Sequence, residues 1–193
     1  MTAQASNKAI PSVTYISAEE WKLDFLMDYI VQVHHHYLKK IFPILQTCLQ
    51  ELVAHQGRQY PELARLELHI ASMSDEILLQ LVREEKVSFP YIRQMESAYH
   101  YKEAYARLLV STLSKPLEEV REHNERLMNK SLDHLRTLTQ NYQPPVQASA
   151  AHRLHYTMLQ ELDHDLQEHL RLENGILLPR ALAIEKEILR QPV

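Results

Sequence analysis

Glycine and cysteine are nearly missing from this 193-residue chain, which has two of the first and one of the second. So few glycines argue against a fold of tight hairpins, whose favoured turns need residues that tolerate positive φ. The single cysteine, Cys48, excludes an internal disulfide and fits a reducing, cytoplasmic setting. No block of basic residues stands out, and the formal net charge is -4, so nucleic acid and anionic membrane surfaces are not expected partners. No apolar run approaches the roughly 18 residues of a transmembrane span, and the N-terminus lacks a signal-peptide pattern. What is present is ordinary globular material, 45% hydrophobic and 24% charged, sufficient for one domain with a substantial core. The nine prolines fall mostly between apolar periodic segments, which is how helices are punctuated.

Residues 1–17 are small, polar and aperiodic, and read as a tail that touches the domain only through Val13, Tyr15 and Ile16. Residues 18–190 then read as one domain. Ser17 followed by Glu20 suggests a capping box opening a first helix, with Val31, His35, Leu38 and Phe42 on one face. Pro43 should bend or break that helix, and Gly57 should end it. A second helix starts near Pro61 and carries Leu63, Leu66, Ile70, Met73, Ile77, Gln80 and Glu84 on one stripe. The tyrosine-rich segment beyond Pro90 is expected to be helical and to cover one end of the domain. Pro116 opens a third long helix with Val120, His123, Leu127, Ser131, His134 and Leu138 along one face. After Pro144 and Pro145 comes a fourth, with Ala151, His155, Met158, Leu162, Leu166, His169, Glu173 and Ile176. Four amphipathic helices with short connections imply an all-α, antiparallel four-helix bundle. The interruptions argue against a coiled-coil dimer, and the oligomeric state is left open.

Buried ionisable side chains are costly unless paired, hydrogen-bonded or bound to metal, so polar residues on the apolar stripes carry the information. They are His35, Gln80, Glu84, His123, His169 and Glu173. Residues four apart on a helix differ by about 40° in direction, so Gln80 with Glu84, and His169 with Glu173, can each reach one point on the bundle axis. The order repeats. His35 precedes Gln80 by 45 residues and His123 precedes His169 by 46, with a glutamate four later each time. The stretches QLVREEKVSFP and HLRLENGILLP are near copies, and the pattern implies a duplicated helix pair about a pseudo-twofold axis. Imidazoles and carboxylates converging from four helices are how a bundle holds two adjacent iron or manganese ions. The plainer alternative is a set of buried polar side chains hydrogen-bonded across a structural bundle.

The other histidines have weaker spacing. His34 and His36 point about 100° to either side of His35, so at most one of the three should face the axis squarely. His55 lies 20 residues beyond His35 and reads as a surface or cap residue. His134 and His155 lie near their stripes without a carboxylate four residues away, which suits core positions or support of the ligands.

The segments YIVQVHHHYL, REEKVSFPYI, PLEEVREHNE, NYQPPVQAS and LQEHLRLENGILLPRAL resemble the hemerythrin-like domain of the RIC, or repair-of-iron-centres, family, from about Asp24 to Ala183. That resemblance implies a four-helix bundle with a non-haem di-iron centre, implicated in restoring iron–sulfur clusters damaged by nitric oxide or oxidants. By position, it implies iron ligands at His35, Glu84, His123, His169 and Glu173, and His55 matches a further family histidine. Three departures stand out. Gln80 replaces a histidine, the usual Glu-His-Asp reads Glu122, His123, Asn124, and residues 1–17, read as a tail without cysteine, stand where the resemblance leads one to expect a small domain with a cysteine pair.

Glutamine offers a metal only a neutral carbonyl oxygen, so one of two irons should be held less tightly. Manganese or zinc could replace iron at such ligands. The leading expectation is a cytoplasmic di-iron stress protein that mobilises iron, with apo or damaged iron–sulfur proteins as recipients. No nucleophile appears with its base, so no conventional enzyme is expected. The alternatives are a module that binds or senses oxygen or nitric oxide, and a metal-depleted bundle.

Overall fold

The computed structural model describes residues 17–113 and 117–190. The expected tail therefore lies outside the described residues except for Ser17, and so does Pro116. Among the described residues, three long helices and two shorter ones carry the fold. Helix α1 spans residues 23–56, α2 spans 62–100, α3 is Ala106–Leu113, α4 is Leu117–Leu138 and α5 spans 150–190. Helices α1, α2, α4 and α5 pack in a ring, α1 against α2 and α5, and α4 against α2 and α5. This is an all-α helical bundle.

Several local details depart from the expectations. The capping box does not form: Ser17 makes no side-chain cap bond, its hydroxyl instead meets the Glu19 carboxylate, and α1 begins only at Leu23. Pro43 does not break α1, which runs on as α-helix through His36–Gln56. Its position is exposed, so the carbonyl left without an N–H partner can bond to water. Gly57 does follow the end of α1, but its φ of -60° is right-handed. What the position needs is the missing side chain, because a Cβ there would sit 2.5 Å from the Val53 carbonyl oxygen.

Each long helix contains one π-helical turn, in which an extra residue widens the spiral. These are Ile30–His35 in α1, Glu84–Ser88 in α2 and Glu173–Leu177 in α5. The last two have one form. The amides of Phe89 and Leu178 reach back five residues to the carbonyls of Glu84 and Glu173, and a proline follows directly. Pro90 and Pro179 lack the N–H that would continue a regular α-helix. The repeated sequence thus encodes a repeated backbone irregularity, placed at the glutamates.

The apolar core is in two parts. One cluster gathers the start of α1 (Leu23, Leu26, Met27, Ile30), the end of α2 (Phe89, Ile92, Met95), α3 (Leu109, Val110) and the end of α5 (Leu177, Leu178, Ala181). The tyrosine-rich segment therefore contributes the cap over this end of the bundle. The other cluster joins Leu38, Phe42 and Leu45 of α1 to Leu66, Ile70 and Ile77 of α2, Met128 and Leu132 of α4, and Leu159 and Leu166 of α5. Between the clusters lies a layer of buried polar side chains.

Candidate metal centre

The layer is built from His35, Gln80, Glu84, Asn124, His169 and Glu173, all buried. Among the described residues, His35, Glu84 and His169 form a group whose donor atoms all lie within 4.8 Å of one another. The imidazole nitrogens His35 Nε2 and His169 Nε2 face each other at 3.2 Å, and Glu84 Oε2 is 3.3 Å from the first and 3.9 Å from the second. Glu173 Oε2 stands 3.8 Å from His169 Nε2. The tautomer of His35 is set from behind. Its Nδ1 lies 2.8 Å from Glu85 Oε1, so the proton belongs there and the lone pair of Nε2 points into the cluster.

Amides occupy the other side. Gln80 Nε2 donates to Glu84 Oε1 at 2.7 Å, and Asn124 Nδ2 donates to Glu84 Oε1 at 3.1 Å and to Glu173 Oε1 at 3.2 Å. These donors satisfy one oxygen of each carboxylate. Glu84 Oε2, Glu173 Oε2 and Gln80 Oε1 remain buried with no donor. Buried acceptors are rarely left in this state, and three of them beside two facing imidazole nitrogens fit a bound cation.

The electrostatics agree with that fit. Burial lowers the His169 pKa to about 4, against the pull of Glu84, so its ring is neutral and has a lone pair to give. Burial, and then the neighbouring Glu84 carboxylate, push Glu173 well above the usual carboxylate range. Without a cation, two carboxylates this close do not both ionise readily. Burial would also raise Glu85, but hydrogen bonds from Lys39 and His35 outweigh it and hold that carboxylate below its ordinary value.

Sequence position alone places His123 on the inner face of α4, and the structure does not. His123 is exposed, and its neighbour Asn124 enters the layer. The inner face of α4 is Leu117, Asn124, Met128, Ser131, Leu132 and Leu135, which shares Ser131 with the expected stripe and otherwise lies one residue out of phase with it. The expected stripe instead lines a cavity of about 1300 Å³ between α2 and α4, which also reaches Gln80, Glu84 and Asn124. α4 is regular where the other three bundle helices have a π-helical turn, so its register at this level is not re-aimed as theirs is.

His34 departs in the opposite direction. Both His34 and His35 are buried while His36 is exposed, because the π-helical turn Ile30–His35 alters the spacing of side chains around the helix. His34 Nδ1 lies 2.9 Å from Asp165 Oδ1, and its ring is 6.0 Å from that of His169. Nothing in the sequence spacing pointed to Asp165 or Glu85, since both contacts join different helices. His55 is exposed, far along α1, with Nδ1 2.7 Å from the Glu51 carbonyl oxygen.

The profile of the hemerythrin HHE cation binding domain matches residues 26–181, most of the chain. The chain belongs to this hemerythrin family. Relatives include the iron-sulfur cluster repair protein YtfE of Edwardsiella ictaluri (strain 93-146), 32% identical over 167 residues, which cover 84% of this chain and 69% of that protein. The iron-sulfur cluster repair protein YtfE of Yersinia pestis (strain Pestoides F) is 28% identical over 169 residues, 86% of this chain and 70% of its own length. The iron-sulfur cluster repair protein DnrN of Neisseria gonorrhoeae is 29% identical over 157 residues, covering 81% of this chain and 89% of DnrN. In this hemerythrin domain the candidate cation site is the polar seam between the two apolar clusters. Among its described residues no helix is long and apolar enough to cross a membrane.

Proposed function

We propose that this hemerythrin domain holds two non-haem iron ions unequally and releases the looser one to damaged iron–sulfur proteins under nitrosative or oxidative stress, in the cytoplasm. Its similarity to proteins named for iron-sulfur cluster repair supports the reading. The observation that carries it is the one-sided chemistry of the layer. His35, His169 and Glu84 offer two imidazoles and a carboxylate, whereas the opposite side offers Glu173 and the amides of Gln80 and Asn124. Imidazole is the better donor for ferrous iron, so the amide side holds its ion more weakly.

That weaker side is also the open one. The large cavity between α2 and α4 is lined by Gln80, Glu84, Asn124 and His123. An ion leaving the layer has a route there, with His123 as an imidazole on its wall. Iron, when bound, supplies a centre that takes up diatomic ligands or is itself passed on. The chain's own residues do the rest: Glu84 and Glu173 offset the charge of the ions, Glu85 aims His35, and the apolar clusters on both sides exclude water.

The test is transfer. The iron-loaded protein is mixed anaerobically with an apo iron–sulfur protein, and iron in each partner is followed by rapid separation and metal analysis. One of two irons should move well ahead of the other. Retention of both irons, together with a reversible oxygenated visible spectrum, would replace this reading with an oxygen-binding one.

A further inference from the structure

A second group of sulfur and imidazole side chains lies far from the hemerythrin layer, at the other end of the α1–α5 pair. A cavity of about 240 Å³ there is lined by Cys48, Leu52 and His55 of α1 and by His155 and Met158 of α5, among others. Two contacts fix how the helices run. His35 meets His169 at one end and Gln56 Nε2 donates to Ser149 Oγ at 2.9 Å at the other, so α1 and α5 are antiparallel. In that register Cys48 falls level with the segment between His155 and Met158, with axial offsets of about 2–3 Å.

His155 is the informative member. It is 1% exposed, it lines the cavity, and neither ring nitrogen has a hydrogen-bond partner. An imidazole that serves only to fill space leaves two polar atoms unsatisfied, at a cost a leucine would avoid. Burial lowers its pKa to about 4, so at neutral pH the ring is uncharged and has a free lone pair. Cys48, the only cysteine of the chain, is free and half-buried. Met158 adds a thioether from one turn beyond His155. His55 stands at the rim, and its Nδ1 bond to the Glu51 carbonyl leaves Nε2 as the acceptor.

We propose that Cys48, His155 and Met158 form a binding site for one copper(I) ion. Thiolate and thioether sulfur select soft cations, and copper(I) accepts two or three such ligands with an imidazole. The hemerythrin layer contains no sulfur ligand, so the two sites sort metals by softness. Binding is a ligand substitution with no change of oxidation state: the Cys48 thiol gives its proton to solvent and the thiolate takes the ion. His155 and His169 are fourteen residues apart on α5, about 21 Å along the helix, so copper need not disturb the iron site.

The test uses the full chain as purified, with its iron content measured, titrated anaerobically with copper(I) against the chromophoric competitor bicinchoninate. One copper(I) per chain should be withdrawn from the competitor, Cys48 should lose its reactivity toward a thiol reagent, and iron should stay. Cys48→Ser should weaken binding at least 100-fold and Met158→Leu about tenfold, with both variants keeping their helical circular dichroism. Three results would each overturn the proposal: no copper withdrawn by the wild type, full affinity in Cys48→Ser, or release of iron in step with copper uptake.

Discussion

Asn124→Ala tests the amide side of the metal layer most directly. Asn124 is 2% exposed, and its one side-chain NH2 group donates to Glu84 Oε1 at 3.1 Å and to Glu173 Oε1 at 3.2 Å. A hydrogen bond to a charged partner contributes roughly 1.5–3 kcal/mol and one to a neutral partner about 1 kcal/mol. Burial, and then the neighbouring Glu84 carboxylate, raise Glu173, so the pair of bonds is counted between those two limits. Their loss should cost about 3 kcal/mol. Water entering from the adjoining cavity replaces little of this, because the carboxylates themselves are buried. Urea unfolding of the metal-free variant at pH 7 should show a lower midpoint at unchanged slope. A loss under about 1 kcal/mol would refute the placement of Asn124 between the two carboxylates. A second arm uses pH. A raised carboxylate contributes stability that is fully present below its unfolded value near 4.3 and is lost as pH rises through the folded value. Glu173→Gln lacks that loss, so its stability relative to the wild type should improve with rising pH by up to about 1.4 kcal/mol per pH unit.

Three further outcomes are expected. Gln80→His adds an imidazole beside Glu84, and metal analysis should show iron per chain rising toward two in the variant from a lower or unequal loading in the wild type. Two tightly held irons already present in the wild type would sink the asymmetric site. Glu85→Gln replaces the carboxylate behind His35 Nδ1, and equilibrium dialysis should show iron affinity falling about 10- to 100-fold with little change in unfolding midpoint. His155→Leu removes an imidazole whose pKa burial lowers to about 4. A histidine lowered in the folded state contributes stability present above its unfolded value near 6.5 and lost as pH falls toward the folded one. Between those limits the variant should lose about 3 kcal/mol less than the wild type in denaturant melts, and parallel pH profiles would count against the burial of a neutral ring.

How much of this was legible in the chain varies from helix to helix. The stripe from Leu63 to Glu84 in α2 is buried at every position the periodicity selects. That helix is regular up to Glu84, so a 3.6-residue repeat is the correct ruler for it. The stripe on α5 is nearly as good, with Ala151 exposed and Met158 half-buried at its early end. On α4 the same ruler chose Val120, His123, Leu127 and Leu138, which line the cavity, over Leu117, Asn124, Met128 and Leu135, which enter the core. Both sets have helical spacing and apolar members. Periodicity says that a helix has a buried face, but where two faces are comparably apolar only the neighbouring helices decide between them.

The π-helical turns mark the same boundary. Proline six residues after each glutamate was visible as a repeat, yet the repeat did not reveal that the spiral widens at Glu84 and Glu173, or that a third such turn buries His34 beside His35. Hydrogen-bond partners across helices, Glu85 behind His35 and Asp165 behind His34, leave no trace in linear spacing because sequence distance and spatial distance are unrelated between helices.

Composition and local propensity suffice for an all-α chain with polar residues on its apolar stripes, because helix formation and amphipathicity depend on neighbours three and four residues away. Which polar side chains meet, at what distances, and which side of the layer opens to solvent depend on the rotation and register of whole helices against one another. Those are set by packing of the two apolar clusters, a collective condition that no short segment carries.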